Sequence, residues 1–266
     1  MILQSLNILR RFGVLATDLR YKDGRTVQKN IIYEDEHMIV VFKPAGIATQ
    51  TARVGQQDMV SELKNYLAGK PEYRGKGEPY LGIIHRLDQP VTGVLVFAKT
   101  KQAAAALSSQ VSSGKMHKFY YAVIYGDCHK EEERLENYLY KDAKTNQSLI
   151  VKEDFPNAKK SILIYKKIKT LMILEKEQEV SLVEVRLLSG RHHQIRVQLA
   201  YNGMPLLGDS KYGSEDAKIL SREIGCRNVA LCAYKLVLEH PIQKKEMKFE
   251  KKPGEEIFLP FFSNGI

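Results

Sequence analysis

Two clusters of charged and polar residues interrupt otherwise hydrophobic stretches of this chain. The first is His85-Arg86-Leu87-Asp88, followed by the turn formers Pro90 and Gly93; the second is Gly190-Arg191-His192-His193-Gln194-Ile195-Arg196. A carboxylate beside fixed cations stays ionised at neutral pH, because a nearby opposite charge favours the charged form by roughly one to three pKa units. Asp88 is therefore suited to nucleophilic attack. It suits equally a plain turn, in which its side chain accepts backbone N–H groups. The second cluster combines arginines with a helix start, which fits a phosphate or carboxylate ligand, or simply a solvated basic surface. His192 and Arg196 are four apart and would share one helical face. The adjacent histidines would point apart on a helix, and no Cys or carboxylate lies at ligand spacing, so no metal site is expected.

The surrounding pattern predicts the elements that must position these residues. Residues 31–33 and 38–42 read as short strands ending at Lys43-Pro44-Ala45-Gly46. Asp58 caps a helix with Met59, Leu63 and Leu67 on one face. Residues 69–79, where charges mix with glycine and proline, read as an exposed loop. A strand over 80–84 leads into the Asp88 corner and an apolar strand over 94–98 leaves it. Thr100 then starts a helix through Ala103, Leu107 and Val111 that Gly114 ends. Further strands are expected over 119–125, 161–167, 180–188, 229–238 and 247–250, with a third helix from just after Gly190 to Tyr201. In the segment Lys115 to Tyr121, period two puts Phe119 and Tyr121 on one face and Lys118 and Tyr120 on the other. Short strands interrupted by few helices indicate an α+β fold with a largely antiparallel sheet.

With 266 residues, 44% apolar and 27% charged, the chain is ordinary for a globular enzyme. We expect a short extension over 1–30, basic and loosely docked, and one catalytic domain over 31–266. The balance of 41 Lys+Arg against 31 Asp+Glu, a formal +10, favours a polyanionic partner such as nucleic acid. No apolar stretch reaches membrane-span length. Cys128, Cys226 and Cys232 form no Cys-x-x-Cys pair, and an odd count argues for a reducing cytoplasm. The absence of a P-loop, a Gly-x-Ser-x-Gly elbow and a dinucleotide fingerprint leaves NTP hydrolysis, serine hydrolysis and nucleotide redox chemistry unsupported.

An ordered series of motifs resembles the RluA-type pseudouridine synthases. It runs from Lys43-Pro44-Ala45-Gly46 through His85-Arg86-Leu87-Asp88 with Thr92-Gly93, Lys118-Phe119-Tyr120 and Gly190 to Arg196. It continues through Gly203-Met204-Pro205, Gly208-Asp209, Tyr212-Gly213 and Leu231-Cys232-Ala233 to His240-Pro241. The resemblance covers about residues 31–241 and implies a pseudouridine-synthase-like mixed sheet flanked by helices and loops. It implies isomerisation of uridines in ribosomal or transfer RNA without metal or cofactor, by a cytoplasmic monomer needing no protein partner. Asp88 would be the catalytic aspartate, attacking sugar or base; Arg196 would pair with it; Tyr120 would pack against the target base and assist proton removal. Arg86 would fill the gap left by the flipped uridine, and His85, Lys118, Arg191 and His193 would contact RNA. Departures are Gln89-Pro90-Val91-Thr92-Gly93 after Asp88, and Ser189 at a common threonine position. A non-catalytic RNA-binding protein and a hydrolytic N-glycosidase are the competing readings.

Overall fold

The computed structural model describes residues 25–51 and 55–263; of the extension expected over 1–30, residues 1–24 lie outside them, and Val27 is buried in the core and not loosely docked. Among the described residues eleven strands form one sheet: β1 (Ile31–Glu34), β2 (Met38–Lys43), β3 (Gly82–Ile83), β4 (Thr92–Ala98), β5 (His117–Tyr125), β6 (Glu132–Asp142), β7 (Gln147–Val151), β8 (Lys159–Ile173), β9 (Gln178–Leu187), β10 (Leu231–Glu239) and β11 (Glu246–Glu250). The spatial order is β1-β2-β4-β10-β5-β9-β8-β6-β7, with β11 on β10 and β3 on β4. The β10–β4 pairing is parallel and the other described pairings are antiparallel, so the sheet is the mixed, mostly antiparallel one expected. The helices are α1 (Arg25–Gln28), α2 (Met59–Ala68), α3 (Lys101–Ser112), α4 (Gln194–Tyr201), α5 (Glu215–Glu223) and α6 (Leu259–Phe262). None of the described helices is long and apolar enough to cross a membrane.

Strand alternation feeds two cores, one on each face of the sheet. Ile39 and Val41 of β2 join Leu95, Phe97, Tyr120 and the α2 residues Met59, Leu63 and Leu67. Met38, Val40 and Phe42 face the other way, toward Val94, Val96, Tyr121 and Leu107 of α3. Period two thus places Tyr120 and its neighbours Phe119 and Tyr121 on opposite faces, as expected, and each face is a core. Asp58 caps α2 in a full capping box with Ser61, and Thr100 caps α3.

The structure departs from the sequence expectation on one side of the molecule. β6 and β7 form a hairpin that the pattern does not announce. In β6 only Leu135 and Leu139 are buried, a spacing of four that lacks strand alternation because the strand is otherwise largely solvated. β8 runs well beyond 161–167 through a register shift between Lys167 and Lys169. α5 also goes unannounced, although Ser214 caps it with Glu215 and Asp216 in the first turn. α4 starts at Gln194 and not directly after Gly190. His193 is left-handed, with φ of 53°, so residues 190–193 turn before the helix begins. The Gln194 side chain fixes that turn by accepting from Arg191 N–H (3.0 Å) and from the Ser189 hydroxyl (2.9 Å).

Candidate active site

The loop carrying Asp88 is held from behind by main-chain acceptors gathered on one ammonium. Lys43, fully buried at the end of β2, donates to the carbonyls of Pro44 (2.9 Å), Ile47 (2.7 Å) and Gln89 (3.1 Å). Burial draws its pKa down to about 7, against the opposing charges of Asp88 and Glu255. Three carbonyls match the three N–H donors of an ammonium, so the cation is the form this pocket fits. Thr49 adds a reciprocal pair with Leu87, its hydroxyl donating to the carbonyl (3.1 Å) and accepting from the N–H (3.2 Å). Gly46 N–H donates to Gln89 O at 2.9 Å. At the far end of the loop, a Cβ on Gly93 would lie 2.5 Å from Ala233, so only glycine lets β10 approach β4 there.

Asp88 itself is not a turn-satisfying aspartate. Among the described residues no backbone N–H reaches its carboxylate; Arg196 does, with one terminal guanidinium nitrogen 3.1 Å from Oδ2. The Asp88 side chain is 26% exposed and that of Arg196 is 4% exposed, so the carboxylate opens to solvent while its partner is buried beneath it. Arg196 is anchored by Asp209, whose two oxygens accept from Nε and the other terminal nitrogen at 2.7 Å each. Asp209 also accepts from Lys211 N–H (2.9 Å) and Tyr212 N–H (3.1 Å). Burial lowers the Arg196 pKa, but the bonds to Asp209 and the charge of Asp88 outweigh it and the net direction is upward.

A second, uncharged route converges on the same oxygen. His193 Nε2 lies 3.6 Å from Asp88 Oδ2, and its Nδ1 lies 2.8 Å from the Tyr212 hydroxyl. Ser148 N–H donates to that hydroxyl at 2.7 Å, and the tautomer in which the phenol donates to Nδ1 puts the ring proton on Nε2, facing Asp88. Burial pushes His193 down to about 4, with Asp88 opposing and Arg196 reinforcing, so the ring is neutral at physiological pH. His192 stacks on His193 with ring centroids 3.7 Å apart. The expectation that adjacent histidines point apart fails because both precede the helix, and so does the shared face of His192 and Arg196.

The other expected residues divide. Tyr120 is buried, and burial followed by the charge of Asp88 raises its pKa, keeping the phenol protonated. His85 has both ring nitrogens buried without a partner, and burial followed by the charge of Lys118 lowers it to about 3. Lys118, also lowered by burial, reaches toward Gly190, where a Cβ would sit 3.3 Å from its Nζ. Arg86 and Arg191 are exposed. Asp88, Arg196 and His193 are thus in one cluster, His85 and Lys118 in a buried neighbourhood beside it. Lys43, Asp209, Tyr212 and Ser148 were not singled out, though the first three lie inside quoted motifs. Among the described residues no group of three or more His, Cys, Asp and Glu could hold a metal.

Comparison with known proteins identifies the family. The profile of the RNA pseudouridylate synthase family matches residues 37–201. The chain is 32% identical to ribosomal large subunit pseudouridine synthase D of Zymomonas mobilis, covering 91% of this chain and 74% of that one. It is 34% identical to the RNA pseudouridine synthase YhcT of Bacillus subtilis, covering 88% and 74%. It is 31% identical to the dual-specificity RNA pseudouridine synthase RluA of Vibrio parahaemolyticus, covering 84% and 82%. The fold is that of human RNA pseudouridylate synthase domain containing 4, with a TM-score of 0.69 at 22% identity over 90% of this chain and 93% of that one. A sheet of this topology and relatives of this identity and coverage together place the chain in the RluA-type RNA pseudouridine synthases, isomerases that act on RNA.

Proposed function

We propose that this enzyme converts uridines of ribosomal or transfer RNA to pseudouridine with Asp88 as nucleophile and without a cofactor. The observation that carries the reading is the chain Asp209–Arg196–Asp88, in which a buried guanidinium fixed at 2.7 Å on one side presents a solvent-facing carboxylate on the other. Asp88 attacks the sugar or the base, and the C1′–N1 bond breaks with its electron pair passing to the uracil ring. The ring turns, C5 bonds to C1′ and the aspartate leaves. C5 then loses its proton and N1 gains one, so product and substrate are isomers and nothing is oxidised. The detached base supplies the carbon nucleophile, which is why no metal or organic group is required.

Tyr120 packs against the base in this scheme. Its raised pKa opposes service as the proton acceptor, so packing is the role we assign it. Arg86, exposed beside Asp88, stacks in the gap left by the flipped uridine. Lys118, Arg191 and His193 line the RNA path, and residues 31–266 act as one catalytic domain, as a cytoplasmic monomer.

The test is cellular RNA from a strain lacking the gene, incubated with the purified protein and read by carbodiimide-dependent reverse-transcription stops. New stops at defined uridines are expected, and Asp88→Asn abolishes them while RNA affinity persists. Absence of new stops overturns the reading, and free uracil among the products replaces it with hydrolysis.

A further inference from the structure

Beside the carboxylate, on the far side of the stacked histidines, lies an open groove of about 330 Å³ between the β6–β7 hairpin, β8 and the turn before α4. That volume falls at the lower end of the roughly 300–1,000 Å³ typical of small-ligand clefts, the scale of one nucleotide. Its lining contains Lys141, Lys159 and Arg191, and no acidic residue. All three cations are exposed. Among the described residues neither Lys141 nor Lys159 has a carboxylate partner, whereas Lys160 next door is paired with Glu136. Arg191 is steadied by donating Nε to Lys160 O at 3.2 Å, which leaves both terminal nitrogens for a ligand.

The groove wall carries a second, independent feature. The Ser148 hydroxyl donates to His192 O (2.7 Å), so its oxygen accepts from His192 Nδ1, 3.0 Å away. Burial, followed by the charge of Lys141, lowers the His192 pKa, which favours the neutral ring. With its one proton on Nδ1, the Nε2 lone pair is left as an acceptor at a half-buried ring that lines the groove. Two stacked rings separate this acceptor from Asp88.

We propose that this groove is a second nucleotide subsite for the RNA strand, adjacent to the reacting uridine. Lys141, Lys159 and Arg191 hold phosphate oxygens, and His192 Nε2 accepts from a ribose 2′-hydroxyl. The subsite rests on the RNA-modifying reading and adds to it a means of telling RNA from DNA at one defined position.

Binding of a single-stranded RNA of about 20 nucleotides containing uridines, and of DNA of the same sequence with deoxyuridine, tests this by fluorescence anisotropy across a salt series. Lys141→Ala with Lys159→Ala lowers the log–log salt slope by about 1.4, or about 0.7 per lost phosphate contact. Lys101→Ala with Lys245→Ala, which removes the same charge from exposed positions outside the groove, lowers it by less than about half of that. His192→Ala reduces the RNA-over-DNA preference about fivefold with the slope retained. An unchanged slope in the groove pair, or an equal loss in the distant pair, overturns the phosphate assignment. Retained RNA preference in His192→Ala overturns the ribose assignment. Pseudouridine formation by the unmodified protein on cellular RNA is scored in parallel, so its failure is visible separately from failure of the groove.

Discussion

The two walls of the site are built by opposite chemistry. Behind Asp88, a single buried ammonium collects three main-chain carbonyls and thereby fixes the path of the loop, with no side chain touching the carboxylate itself. Facing Asp88, side chains converge on one oxygen from two directions, Arg196 backed by Asp209 and His193 backed by Tyr212 and Ser148. The first wall decides where the carboxylate is. The second decides how it is oriented and what charge it meets. Position thus rests on main-chain groups, whereas orientation is divided between a charged and a neutral route of different strength.

The largest effect expected is at the charged route. Asp209→Ala removes the buried anchor of the Arg196 guanidinium and leaves it Asp88 alone, which costs about 3–5 kcal/mol in urea unfolding and removes turnover. A loss no greater than that of Tyr212→Phe would erase the distinction between the two routes. On the other wall, Lys43→Met leaves the Pro44 and Ile47 carbonyls without a donor, Gln89 O keeping that of Gly46 N–H, and costs about 3 kcal/mol, with stability and activity falling together. Activity lost at full stability would show instead that Lys43 belongs to the chemistry.

The neutral route has a pH signature. His193 has a folded pKa of about 4, below its unfolded value of 6.5, so between these the unfolded chain binds the extra proton and stability rises with pH. Acidification from pH 6.5 to about 4 therefore removes stability, on the order of 2 kcal/mol from this residue. His85, at about 3, extends the same trend to lower pH. His193→Gln flattens the slope in that window, and an unchanged slope in thermal melts would remove His193 as its source. The smallest effect is Tyr212→Phe, about 1 kcal/mol, since one neutral hydrogen-bonded hydroxyl is lost. Its activity is expected to fall less than that of Asp209→Ala in the same assay.

Much of this was legible in the sequence where local rules suffice. Asp58 and Thr100 announce α2 and α3 because a cap side chain acts within three residues, and the turn formers around Asp88 mark the loop. The β6–β7 hairpin was not legible, since a strand with one sparsely buried face carries no alternation, yet it supplies Ser148 to the site and Lys141 to the groove. The start of α4 was misplaced because the Gln194 side chain and a left-handed His193 hold the preceding turn, and neither has a periodic signature.

By itself the sequence determined the fold class, the apolar helix faces and the identity of the two motifs that meet, because hydrophobic period, caps and ordered motifs are properties of neighbouring residues. The resemblance already paired Arg196 with Asp88; only the tertiary structure decided that Asp209 anchors that guanidinium and that His193 approaches the same oxygen. Arg196 is 108 positions away and Asp209 further still, and it is burial beneath an exposed carboxylate that turns their charges into a directed contact. The same assembly turned two histidines expected to diverge into a stacked pair between the carboxylate and the groove, because the residues that would have begun a helix were held in a turn instead.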